Sequence, residues 1–170
     1  AKSVFIAAAE VYFMLAEGVV RNWIPGSAVE HYKKGVAASL EQYGIRDGDA
    51  KVYDVTTHRL VPFGQAAFFD TLEEGFESAP DKLEPIMTQS WLSNYMTGEG
   101  WFNWRRTGYP NLGKNIIAGG NGEKIPVRYG YGNNELNFNE ENTRAAIGRL
   151  EPQVNDQWSK MWLIQGTGKP

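Results

Sequence analysis

The strongest constraint on this chain is a pair of apolar-striped segments separated by a single break near its start. Residues 3–21 place Val4, Ala8, Val11, Leu15 and Val19 at the three-to-four spacing of one helical face, with Ser3 as the expected N-cap. Pro25 and Gly26 interrupt that period, and a second helix is expected from Ala28 to about Tyr43, before Gly44. Two helices joined by so short a break fold back on each other as a hairpin. A hairpin of this kind has an apolar face that something else must cover.

The hairpin has an ordered pattern of large and small residues. Tyr12, Leu15, Ala16 and Val19 take the large, large, small and large positions of the first helix, and Ala28, Tyr32 and Gly35 the small, aromatic and small positions of the second. The pattern resembles the tetratricopeptide repeat, in which small residues let the helices approach and aromatics fill the groove between them. One such unit cannot bury its own outer face, and no second copy is visible along the chain. With a helix expected almost at the first residue, the expectation is that the natural protein continues upstream of Ala1.

The rest of the chain is expected to be helical but less regular. Residues 45–62 read as loop with a short alternating strand at 51–55, and residues 64–78 carry helical periodicity through Ala67, Phe68, Leu72 and Phe76. Residues 81–107 read as a long helix interrupted near Gly98 and Gly100. From Pro110 to about Asn139 the glycines, prolines and asparagines indicate ordered loop with at most short strands. A last short helix is expected at 140–150, and Trp158 and Trp162 follow at a helical spacing of four. The fold class is therefore all-α, a tetratricopeptide-like hairpin (1–44) followed by a helical and loop-rich region (45–170).

Composition narrows the function. At 170 residues and 42% hydrophobic the chain suffices for one ordinary domain. A net charge of −3 with scattered basic residues excludes a nucleic-acid footprint. Without cysteine there is no disulfide framework, thiolate metal site or thiol nucleophile. No apolar run reaches the roughly 18 to 20 residues of a membrane span. The aromatic share of 13% suits stacking against sugar rings, although a dense helical core is the commoner explanation.

Residues 101–110, Trp-Phe-Asn-Trp-Arg-Arg-Thr-Gly-Tyr-Pro, combine a helix stop with aromatics and two arginines. Arg105 and Arg106 fall in the last helical turn, Gly108 can take the left-handed cap, and Pro110 forbids continuation. Trp101 and Trp104 are the candidate ligand-facing aromatics. The arginines either complete a stacking platform with them or hold the helix end to a neighbouring loop, and the second reading is favoured.

No catalytic constellation is visible. Glu10 and Glu17 share a helix face but stand about 10.5 Å apart along the axis, which fits pairing with arginine better than acid–base chemistry. Asp47, Asp49 and Asp54 lack the remaining ligands of a calcium loop, and His31 and His58 belong to no metal or triad motif. Ser39, Ser90 and Ser93 lie in helical segments without a nucleophile elbow. The asparagines of 133–142 are expected in turns, and Glu73 and Glu74 on a solvated helix edge. No cofactor is called for.

Seven segments in order carry a further resemblance: residues 9–17 (Ala-Glu-Val-Tyr-Phe-Met-Leu-Ala-Glu), residues 31–36 (His-Tyr-Lys-Lys-Gly-Val) with Ser39 and Tyr43-Gly44, residues 87–91 (Met-Thr-Gln-Ser-Trp), residues 98–101 (Gly-Glu-Gly-Trp), residues 105–110, residues 125–129 (Ile-Pro-Val-Arg-Tyr), and Glu135-Leu136-Asn137 followed by Asn142. With these, the chain resembles the C-terminal part of the SusD/RagB family of outer-membrane nutrient-binding lipoproteins. It departs at Gly130, where the family more often has proline.

The resemblance implies tetratricopeptide-like hairpins beneath a looped, ligand-facing layer. It implies a non-catalytic surface protein that binds an oligosaccharide and delivers it to a SusC-like TonB-dependent transporter. It also implies an N-terminal half of the same protein, bearing a lipid-anchored cysteine at the outer membrane. The family's sugar contacts lie largely outside the matched segments, so the resemblance transfers no ligand residue. The alternative reading is a tetratricopeptide-type module whose groove holds a peptide.

Overall fold

A computed structural model describes residues 6–49, 51–54, 57–113 and 124–170. About half of the chain is helical, and the described strands are two short ones, so the protein is mostly α. Seven helices are described: α1 (Ala8–Val20), α2 (Ala28–Gln42), α3 (Gln65–Ser78), α4 (Leu83–Ser93), α5 (Glu99–Thr107), α6 (Asn133–Phe138) and α7 (Glu140–Ile147). Strands β1 (Lys51–Asp54) and β2 (Arg59–Pro62) form an antiparallel hairpin between α2 and α3, with Val52 opposite Val61. Contacts divide the chain into two compact units, Ala1–Gly100 and Trp101–Pro170.

The first unit is built on the expected hairpin, but α1 buries the face of Ala9, Phe13 and Ala16, and Val11, expected in the buried stripe, is 44% exposed. α1 begins at Ala8 behind Ala7, and the expected cap Ser3 lies outside the described residues. α2 starts where the sequence places it, with the Ser27 hydroxyl accepting from the Glu30 N–H at 3.3 Å. Between the helices, Asn22 and Gly26 take positive φ values of 59° and 136°, which turn the chain within a few residues. Gly35 is the point of closest approach: a Cβ there would stand 2.7 Å from the Phe13 ring. This is the small-residue contact that the hairpin pattern calls for.

Tyr32 is fully buried, tilted against Phe13 at 6.4 Å and stacked on Phe76 of α3 at 5.2 Å. Burial pushes its phenol up to about 12. α4 supplies Ile86 and Met87 to the same core. Its start is fixed by the Asp81 carboxylate, which accepts from the Leu83 N–H at 2.9 Å. Pro85 is tolerated because it sits in the first turn, where no intrahelical N–H bond is lost. The Lys82 ammonium donates to the carbonyls of Phe76 and Glu77, capping the negative end of α3.

Between α4 and α5 the chain breaks at residues 94–98, with Met96 at a φ of 65°. The interruption expected at Gly98 and Gly100 is real, although the break precedes Gly100. That glycine lies inside α5, where a Cβ would come within 3.1 Å of the Trp91 ring.

The second unit has a smaller core of Trp104, Thr107, Val127, Leu150, Ser159 and Ile164. Two expectations are corrected here. Residues 133–138 form helix α6 and not a loop, because the Glu135 carbonyl accepts from both the Asn139 N–H and the Thr143 hydroxyl, joining α6 to α7. The tail forms no helix around Trp158 and Trp162: it folds back through a backbone bridge between Glu151 and Lys160. Among the described residues, no helix is long and apolar enough to cross a membrane.

Candidate functional site

The site begins with helical spacing. Trp101 and Arg105 stand four apart on α5, hence one above the other on the same face, and the Arg105 guanidinium lies 4.0 Å from the centre of the Trp101 ring. Both side chains spend a polar group on the chain segment opposite. The Trp101 Nε1 donates to the Pro126 carbonyl at 2.7 Å, and an Arg105 Nη donates to the Val127 carbonyl at 2.9 Å. The favoured expectation for Arg105, a tie from the helix end to a loop carbonyl, matches this geometry. Arg106 points elsewhere, donating to the Asn103 side chain at 3.0 Å. Gly108 closes the helix at a φ of 80°, its N–H donating to the Trp104 carbonyl.

The segment held by Trp101 and Arg105 carries Tyr129 and Tyr131, and both of these residues line one cleft. It is fastened by a second set of contacts as well. The Gln157 carbonyl accepts from the N–H groups of Val127 and Arg128, and the Asp156 carbonyl accepts from the Arg128 guanidinium. The Asn155 side chain makes two bonds with the Tyr131 backbone, accepting from its N–H at 2.8 Å and donating to its carbonyl at 3.0 Å. Arg128 is 4% exposed and lies 4.9 Å from the centre of the Tyr131 ring. It is a structural cation under an exposed ring.

The Asp156 carboxylate is itself held below the ordinary range, first by the Ser159 hydroxyl and then by the N–H groups of Ser159 and Trp158, with Arg128 nearby. It thus anchors the turn that anchors the tyrosine segment.

These pieces enclose an open cleft of about 450 Å³, lined by Trp101, Phe102, Arg105, Arg128, Tyr129, Tyr131, Ala146, Arg149, Leu150, Met161 and Trp162. Trp101 and Tyr129 meet at 5.3 Å and 60°, and Trp101 and Phe102 at 5.2 Å and 52°. Tyr129 and Trp162 are 79% and 78% exposed. Aromatic rings around an open cleft can offer flat apolar faces to a ring-shaped ligand, and the arginines can offer hydrogen-bond donors. Burial lowers the Arg105 guanidinium from its ordinary value, and its Nε has no hydrogen-bond partner.

The two candidate tryptophans separate in space. Trp101 lines this cleft, whereas Trp104 is 6% exposed and borders a second cavity of about 350 Å³ beside Val127, Trp158 and Lys160. Apart from the spacing of Tyr129 and Tyr131, two residues apart in a glycine-flanked segment, nothing in the sequence alone singles out Tyr129, Tyr131, Arg149 and Trp162 as lining one cleft.

The remaining polar candidates take structural positions. Glu17 pairs with Arg21 at 2.7 Å, as its helix-face position suggests, but Glu10 gains no such partner among the described residues: burial raises its carboxyl, and the nearby Glu99 raises it further. Asp47 accepts from the Gln65 N–H at 2.6 Å at the start of α3, and Asp54 from the Thr57 N–H. His58 pairs with the Tyr53 hydroxyl at 3.0 Å, and His31 keeps a buried Nδ1 without a partner. Glu73, expected on a solvated edge, reaches Lys33 of α2 at 2.6 Å. The hydroxyl of Ser93 donates to the Ser90 carbonyl. Among the described residues, no group of three or more His, Cys, Asp or Glu side chains is placed to hold a metal ion.

Residues 1–132 match a family model described as SusD-like, starch-binding and associating with outer membrane. The chain belongs to the SusD-like family. Solved SusD-like structures share its fold. A chitin-binding protein is 32% identical with a TM-score of 0.68 over 92% of this chain and 32% of its own. A SusD homologue from Bacteroides fragilis is 30% identical with a TM-score of 0.69 over 92% of this chain and 34% of its own. A SusD-like protein from Bacteroides thetaiotaomicron is 25% identical with a TM-score of 0.66, over 96% and 37%. The chain therefore spans about a third of the length of the SusD-like structures it matches. Among curated proteins no relative matches. The SusD-like assignment makes the protein one of a glycan-binding, outer-membrane-associated family.

Proposed function

We propose that this protein is a non-catalytic surface glycan-binding protein, and that the cleft of the Trp101–Pro170 unit is a place where it holds a saccharide ring. The observation that carries the reading is the arc of Trp101, Tyr129 and Trp162 around an open cleft in a SusD-like chain. Stacking of sugar rings on such faces with donors at the edge needs no cofactor. The chitin-binding relative at 32% identity supports an oligosaccharide as the ligand class.

The wider role follows the family. The protein passes its oligosaccharide to a SusC-like TonB-dependent transporter, and the 170 residues form the C-terminal part of a SusD-like domain completed by an N-terminal half of the same protein. A lipid-anchored cysteine in that half holds it at the outer-membrane surface. The test is a glycan array with the intact protein, together with co-purification from solubilised outer membranes. Saturable binding to one glycan class and recovery of a TonB-dependent transporter support the reading. Binding to no glycan and recovery of no transporter contradict it.

A further inference from the structure

The residues that line the cleft include three arginines, Arg105, Arg128 and Arg149, and no Asp or Glu. Of these, Arg128 stands near Asp156. Among the described residues Arg105 has no acidic neighbour: its guanidinium is occupied by the Val127 carbonyl and the Trp101 face, and its Nε is buried without a partner. Arg149 is exposed and forms no side-chain ion pair among the described residues. The surrounding sequence has the same sign. Residues 101–170 hold nine Lys and Arg against six Asp and Glu, whereas residues 1–100 hold eight against fourteen, so the net acidity of the chain resides wholly in its first part.

We infer that the cleft selects an anionic sugar, a ring bearing a carboxylate such as a uronic acid unit of an acidic oligosaccharide. The inference rests on the glycan-binding reading and deepens it. The flat faces of Trp101, Tyr129 and Trp162 accept the apolar side of the ring, as they would for any pyranose. What a neutral ring leaves unanswered is the charge: a partly buried guanidinium gains most from an anion, and its planar fork fits a carboxylate with two parallel bonds. Arg149, on the exposed rim, is placed to take the carboxylate, while Arg105 supplies field and a fixed platform. Electrostatic attraction of this kind weakens as salt rises, and stacking does not.

The experiment is calorimetric titration of the intact protein with uronate-containing oligosaccharides and with neutral ones of equal length, at low and high salt. The expected result is that the best acidic ligand binds about tenfold or more tightly than the best neutral one. Salt narrows that gap, and Arg149→Gln removes most of it, lowering acidic-sugar affinity far more than neutral-sugar affinity. Arg144→Gln, whose guanidinium pairs with Glu140 outside the cleft, serves as the control and leaves both affinities unchanged. A neutral ligand that binds as tightly as any acidic one, or an Arg149→Gln variant that keeps the full preference, overturns the inference while the glycan reading stands. Absence of binding to saccharides of either class overturns the glycan reading itself.

Discussion

The Arg105 guanidinium lies over the Trp101 ring, 4.0 Å from its centre, while one of its nitrogens donates to the Val127 carbonyl at 2.9 Å. One side chain thus fixes the orientation of a cleft-lining ring and the path of the segment that carries Tyr129. Replacing it with alanine removes a partly desolvated cation–π contact and a charged hydrogen bond, a loss of about 2–4 kcal/mol. Arg105→Lys restores charge but not the planar fork, so it recovers a minor part. Chemical denaturation of the three proteins checks this through the shift of the midpoint at constant slope.

In the first unit, the contact between Gly35 and Phe13 makes a sharper prediction. Gly35→Ala pushes a methyl group to within 2.7 Å of a ring enclosed by Tyr32 and the α1–α2 interface. Overpacking at a helix crossing costs about 1–3 kcal/mol, against the roughly 1 kcal/mol that alanine contributes over glycine in helix propensity. The variant is expected to be destabilised, which thermal and urea unfolding would both report. A Gly35→Ala variant as stable as the parent would show that α1 and α2 are not held at this distance.

Glu10 and Asp156 respond to pH in opposite senses. The Glu10 carboxyl is raised above 4.5 by burial first and by the Glu99 charge second. A carboxyl raised in the folded state contributes stability that is complete below its ordinary value and is lost as pH rises through the folded value. Glu10→Gln is therefore expected to be no less stable than the parent at neutral pH, and to lose the decline that begins just above 4.5. Urea midpoints measured across that range decide the matter, and a clear loss of stability at neutral pH would contradict it.

Asp156 is lowered below 3.8, chiefly by the Ser159 hydroxyl. Its contribution is present above the ordinary value and lost as pH falls through the folded one. Asp156→Ala leaves the fully buried Ser159 hydroxyl and two N–H groups without their acceptor. It is expected to cost about 1–3 kcal/mol at neutral pH and to flatten the acid side of the stability profile. Acid titration of both proteins by circular dichroism provides the check.

How much of the fold is legible in the sequence follows from which forces are local. The helices α1, α2 and α3 are written as apolar periodicity bounded by Pro25, Gly26, Gly44 and Pro80, and the structure places them within a few residues of those signals. Strand β2 is not visible in the sequence because its four residues contain a proline and gain their state only by pairing with β1. Helix α6 is hidden by asparagines that favour turns in isolation, and is held by its junction with α7.

The same division runs through the cleft. Trp101 and Arg105 are readable as neighbours because a spacing of four on a helix makes them so. The contributions of Tyr129, Arg149 and Trp162 come from segments distant in sequence, brought together by the bridge between Glu151 and Lys160 and by Asn155. No periodicity announces such closures.

Whether the aromatic cleft of the Trp101–Pro170 unit holds a sugar ring is decided by calorimetric titration with the best oligosaccharide from the array. The intact protein is compared with its Trp162→Ala and Tyr129→Ala variants. Both rings are exposed, so the variants should fold as the parent does. Each variant is expected to lose about tenfold or more in affinity, since stacking on one aromatic face contributes on the order of 1 kcal/mol or more. Parental affinity in both variants, with the oligosaccharide still bound, would place the sugar elsewhere and contradict the assignment of the cleft.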